Sequence, residues 1–147
     1  MPKASPEVAK ILQATLVDLI DLSLLGKQAH WNVHGPQFRS VHLELDVLVT
    51  QVRESYDTVA ERLAQLGVSP DGRVETIAGT SQVEDIGPGP IGSDKVVQIM
   101  ADRVDAVSQR IKDALPQVEE DLLSQDHLIA VAQNLDERAW FLRSQIK

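Results

Sequence analysis

His42 and Asp46 stand four residues apart, and so do Asp57 and Glu61. On a helix of 3.6 residues per turn, each pair shares one face. Imidazole nitrogens and carboxylate oxygens on a common face are a donor set for a divalent metal ion. An eleven-residue offset relates the two pairs: it returns to the same stripe with about 20° of drift, but spans about 16 Å along the axis. No single metal centre is within reach of both pairs of one helix. A second copy of the helix, antiparallel across a two-fold axis, removes the difficulty. His42 and Asp46 of one chain then lie opposite Asp57 and Glu61 of the partner subunit, and the axis crosses near Gln51 and Val52. An isologous pairing of this kind makes the contact twice and yields two identical sites. Spacing alone therefore predicts a metal site between subunits.

Such a site needs long, well-anchored helices, and the chain reads as a set of them. Ser5-Pro6-Glu7 is a helix start, with a capping hydroxyl, proline at the first helical position and an acid near the positive dipole end. Val8, Ile11, Leu12, Leu16, Leu19, Ile20, Leu24 and Leu25 carry the apolar pattern onward, and the helix ends around Asn32 to His34, before Gly35-Pro36. A second helix begins near Gln37 or Phe38 and stops at Gly67. At roughly 30 residues it is about 45 Å long. Its apolar seam is Val41, Leu45, Leu48, Val52, Val59, Leu63 and Leu66, and the four candidate ligands flank this seam without belonging to it.

Residues 68–92 form a Gly/Pro-rich connection, with a short helix expected around Ser81 to Asp85. A third long helix starts at Ser93-Asp94 and ends or kinks near Ala114, ahead of Pro116. The last begins near Ser124, carries Asp126 in its first turn and runs towards Lys147, with Trp140 expected in the core, an interface being the alternative. Two helices, a long connection and two more helices predict an all-α, ferritin-like four-helix bundle with one crossover carrying a short helix. An up-down bundle would need only a short loop there.

The totals agree with one domain over residues 1–147. Hydrophobic residues make up 43% and aromatic ones 3%, a balance that favours packed helices over a sheet sandwich. The absence of cysteine excludes disulfides and thiolate metal sites. No apolar run reaches membrane-spanning length and no signal-peptide core is evident, so the expected compartment is the cytoplasm. A formal charge of −8 opposes nonspecific DNA binding and suits cation handling.

Lys27, His30, Trp31, Asn32, Gly35, Phe38, His42 and Asp46, then Asp57, Glu61, Arg62, Leu66 and Gly67, together resemble the Dps family, the miniferritins. The likeness extends over most of the chain, through the helix order and crossover to Leu135, Asp136 and Trp140. It implies a hollow shell of twelve identical subunits built from two-fold dimers, with two-iron ferroxidase centres at the dimer interfaces. By this resemblance the metal ligands are His30, His42 and Asp46 from one subunit, with Asp57 and Glu61 from its partner. Imidazole with carboxylate suits Fe(II), and the hard carboxylates hold Fe(III) after oxidation. The family oxidises Fe(II) with hydrogen peroxide or oxygen and stores Fe(III) mineral within the shell. Pairing two one-electron donors with peroxide avoids release of hydroxyl radical. Trp31, beside His30, is a candidate for quenching stray oxidising equivalents, and interface packing is its alternative role.

The chain lacks Glu-x-x-His, the hallmark of the di-iron site within a single ferritin subunit, which favours the interface arrangement. His34 reads as a helix-end histidine and His127 as a surface one, while Lys27 could pair with a site carboxylate or remain solvated. Acids before and within the last helix either cap it or line entry pores at three-fold axes, Asp121 and Asp126 being the pore candidates. DNA-binding members generally use a lysine-rich tail, whereas this chain offers only Lys3 and Lys10 at its start. DNA binding near neutral pH is therefore expected to be weak or absent. The rival reading is a nucleoid-associated, DNA-protecting protein whose iron chemistry is secondary. A similar shell recruited to another metal-dependent reaction is a third.

Overall fold

A computed structural model describes residues 5–147. Helix α1 runs Pro6–Asn32, and the Ser5 hydroxyl accepts the Val8 amide at 3.2 Å, so one of the orphan donors of the first turn is met. Helix α2 runs Phe38–Gln65. The chain reverses through Gly35 (φ +111°) before it and leaves through Gly67 (φ +78°) after it, both in the region that glycine tolerates best. A short α3 (Val74–Thr80) lies in the crossover. Helix α4 (Ser93–Ala114) gives way to a 3₁₀ turn at Leu115–Val118, where Pro116 cannot continue an α-helix, and α5 (Leu122–Ser144) closes the bundle.

α1 packs along α2, and α4 along α5, as two hairpins joined by the crossover. Every residue of the expected α2 seam is buried, Leu45, Leu48 and Leu63 completely. One contiguous cluster runs from Val8 to Leu142. The α1–α2 contact is close because Gly26 has no side chain: a Cβ there would lie 2.6 Å from Val49 Cγ2.

The short crossover helix is not at Ser81–Asp85 but seven residues earlier, at Val74–Thr80. The Asp71 carboxylate accepts the Arg73 amide and the Thr76 hydroxyl, which organises the chain at that point, and Ile77 is buried. Ser81 is instead drawn to α1, where its hydroxyl donates to Asp21, and Asp18 accepts the Gln82 amide at 3.0 Å. Farther on, the crossover adds a two-residue parallel bridge, Val33 beside Ile91 and His34 beside Gly92, tying it to the chain that enters α2.

Two further expectations are corrected. α5 starts at Leu122 with Asp121 as its N-cap, so Asp126 lies beyond the first turn. Trp140 is not in the core but 63% exposed.

Candidate metal centre

The antiparallel run of α1 into α2 lays His30 against His42. Their rings stack with centroids 3.7 Å apart and planes 11° from parallel, and the Phe38 ring lies 4.9 Å from that of His42, tilted by 30°. His30 Nδ1 lies 2.6 Å from the His42 carbonyl oxygen, and His42 Nδ1 lies 2.7 Å from that of His30. A carbonyl can only accept, so both Nδ1 atoms carry the proton. With Nδ1 so engaged, Nε2 is the nitrogen left to offer a lone pair to a metal ion. Resemblance, not spacing, points to His30; it meets His42 because the two lie at similar distances on either side of the Gly35 turn.

One turn along α2, Asp46 is bound by the Lys27 ammonium. The hydrogen bond from that ammonium draws the Asp46 carboxyl below its ordinary range. Lys27 comes from α1, one turn before His30, so both helices contribute to this half of the centre.

Asp57 and Glu61 are exposed on the distal part of α2. Their neighbour Arg62 turns inward and is buried, donating to Ser124 at 3.0 Å, Gln65 at 3.2 Å and Asp121 at 3.0 Å. Within the one chain, no three His, Asp or Glu side chains among the described residues come together as a metal site. Leu43, Val47, Thr50, Glu54, Asp57 and Glu61 follow one another at intervals of four, three, four, three and four. All six are exposed, a continuous stripe facing away from the core. Val52, by contrast, is only 1% exposed, so its side chain belongs to the chain's own core.

Trp31 is 70% exposed beside His30. His34 is exposed within the β bridge, and His127 shares a groove between α2 and α5 with Glu54, Ser55 and Thr58. Asp121 caps α5 by accepting from the Ser124 amide and hydroxyl and from Arg62. Burial alone would raise its pKa, but those donors together hold the carboxyl below its usual range. Asp126 is exposed. Lys3 lies outside the described residues. On the same face of α2 as the core contacts, Arg138 of α5 meets Glu44 at 2.7 Å, an interior ion pair that the spacing of α2 alone did not reveal. Burial raises the Glu44 pKa, against the opposing charge of Arg138.

Five helices with one long crossover, carrying a histidine pair between the first two, define a ferritin-like protein, and a Ferritin-like domain model matches residues 9–147. The DNA protection during starvation protein of Agrobacterium fabrum is 33% identical over 98% of this chain and 90% of its own length. Among solved structures, the tetragonal form of Mycobacterium smegmatis Dps superposes with a TM-score of 0.93 at 34% identity, covering 100% of this chain and 92% of the other. Microbacterium arborescens Dps in its high iron form gives a TM-score of 0.89 at 32% identity, over 98% of this chain and 97% of the other. The chain belongs to the Dps family. Among the described residues no helix is long and apolar enough to cross a membrane.

Proposed function

We propose that this chain is an iron-oxidising and iron-storing miniferritin. Fe(II) is the substrate, oxidised at two-iron ferroxidase centres between subunits by hydrogen peroxide or oxygen, and Fe(III) is kept as mineral inside a homo-oligomeric shell, a dodecamer built from two-fold dimers. The reciprocal pair carries the reading: His30 and His42 each spend Nδ1–H on the other's carbonyl and keep Nε2 for a metal. Asp46 completes the half-site on one subunit. Asp57 and Glu61 of the partner subunit supply the other half, since among the described residues their own chain gathers no group of three His, Asp or Glu side chains around them.

The dimer axis crosses α2 near Gln51 and Val52, on the side that Thr50 and Glu54 expose, the Val52 side chain itself being buried. Leu24, Trp31, Phe38, Leu43 and Val47 are exposed apolar residues on this α1–α2 side, and burying them between subunits supplies the driving force for pairing. Oxidation of two Fe(II) by one hydrogen peroxide consumes two protons and yields two Fe(III) and two waters, so no one-electron peroxide product is released. Trp31, exposed and next to His30 in the chain, is the candidate for quenching a stray oxidising equivalent. Asp126, and to a lesser degree Asp121, already engaged by Arg62, serve as entrance acids that draw Fe(II) inward. A cytoplasmic setting fits a shell that handles Fe(II).

The test is anaerobic Fe(II) loading followed by a peroxide pulse. Oxidation at one peroxide per two Fe(II), with iron co-eluting with a shell-sized particle, is the expected result. Oxidation no faster than in buffer, with iron precipitating, overturns the reading. The name of the Agrobacterium relative favours a second reading, DNA protection by direct binding. The charge of −8 per chain argues against it, and strong retardation of DNA at low salt would put it first.

A further inference from the structure

One cation already sits on the candidate centre: the Lys27 ammonium, 2.5 Å from Asp46 Oδ1. It is not a stray surface contact. Lys27 is on α1 and Asp46 on α2, nineteen residues apart, and the Lys27 side chain is 24% exposed while that of Asp46 is 47% exposed. The carboxylate is therefore open to an incoming ion on one side and held by the ammonium on the other. Lysine suits this task because its point charge on a flexible stem can release one oxygen without rearranging the backbone.

We propose that Lys27 is a positioning residue and resident counter-cation of the metal centre, holding Asp46 in place while the centre is empty and giving way when a divalent metal ion arrives. The inference rests on the metal-centre reading above and adds its regulation: the ion exchanges with an ammonium instead of entering a bare anionic site. Two consequences follow. Asp46 is kept beside the His30–His42 pair while the centre is empty, an effect on affinity smaller than that of the charge. The retained positive charge also weakens the hold on the ion, as suits a centre that must pass its substrate on to storage. A lysine serving only to prop α1 against α2 would have the opposite signature, because its loss would disorder Asp46 and weaken binding.

Co(II), which does not react with the oxidant-free centre, is the probe. It is titrated into assembled wild-type protein and the variants Lys27→Met, Lys27→Gln, Lys27→Arg and His30→Ala, following visible absorption and heat of binding. Wild type binds, His30→Ala loses the spectral signature of imidazole ligation, and Lys27→Arg gains no affinity. Lys27→Met binds about tenfold more tightly, the effect of removing one positive charge a few ångströms from a dication in a largely wet site. Lys27→Gln gives the same sign and serves in its place if the methionine variant does not assemble. Binding by both neutral variants that is unchanged or weaker than wild type, with wild-type binding still dependent on His30, overturns the role of Lys27 alone. Identical binding by wild type and His30→Ala overturns the metal centre, and this inference with it.

Discussion

His30 and His42 each donate Nδ1–H to the other's main-chain carbonyl, at 2.6 and 2.7 Å, while their rings stack 3.7 Å apart. The two bonds join the end of α1 to the start of α2 and set both tautomers at once. Fold stability and metal readiness are therefore carried by the same four atoms. His30→Phe keeps a ring for stacking but leaves the His42 carbonyl without its donor. It is expected to lower stability by about 1 kcal/mol and Fe(II) oxidation by at least about tenfold. Thermal melting and stopped-flow absorbance measure the two separately, and a variant oxidising Fe(II) at the wild-type rate would remove His30 from the centre.

A cross-subunit site makes a complementation prediction. Chains carrying His42→Ala with Asp46→Ala, and chains carrying Asp57→Ala with Glu61→Ala, should each be inactive as homo-oligomers. Co-assembled, they regain some intact sites, because a two-fold pair of unlike chains places both wild-type halves at one of its two centres. No recovery in mixed shells of verified composition would refute the shared site.

Asp121 makes a prediction about pH. Its folded-state pKa is depressed, so the stability it contributes is fully present above the unfolded value of about 3.9 and is lost as pH falls through the lower folded value. Asp121→Asn keeps an acceptor for the Ser124 amide but removes the charge facing the buried Arg62. The expected cost near pH 7 is about 1–3 kcal/mol. The melting difference from wild type should hold steady from pH 7 to about 5 and close below about pH 4. A difference that does not change with pH would mean that the Asp121 charge contributes nothing.

Gly26 tests the α1–α2 spacing. Alanine gains about 1 kcal/mol of helix propensity, yet its Cβ would meet Val49 Cγ2 at 2.6 Å. Overpacking against a stiff β-branched side chain costs about 1–3 kcal/mol, so Gly26→Ala should be neutral to destabilising and should push apart the helices that carry His30 and His42. Adding Val49→Ala should restore both stability and metal binding. Stabilisation by Gly26→Ala alone would show that the contact is relieved at little cost.

Much of the molecule is legible in the chain. Ser5-Pro6, Gly35-Pro36, Gly67, Ser93 and Pro116 each stand at or beside a helix boundary, because caps, positive φ and a missing amide act over a few residues and need no partner from afar. The crossover helix is not legible in this way, because its place depends on contacts with α1. Ser81-Gln82-Val83-Glu84 has the form of a capping box, but the Ser81 hydroxyl and the Gln82 amide are taken by Asp21 and Asp18 of α1, and no helix starts there. The core place expected of Trp140 is not taken up, because α5 packs with Arg138, Ala139 and Leu142 inward and leaves the indole outside.

Helix periodicity alone determined that His42, Asp46, Asp57 and Glu61 share the outer side of α2 and that no one chain could close a site from them, because rise and turn per residue are properties of the backbone. Only the tertiary structure decided that His30 stacks on His42, that both rings carry their proton on Nδ1 and that Lys27 occupies Asp46. Each of these depends on how closely α1 approaches α2, and that distance is set by packing between residues far apart in the chain.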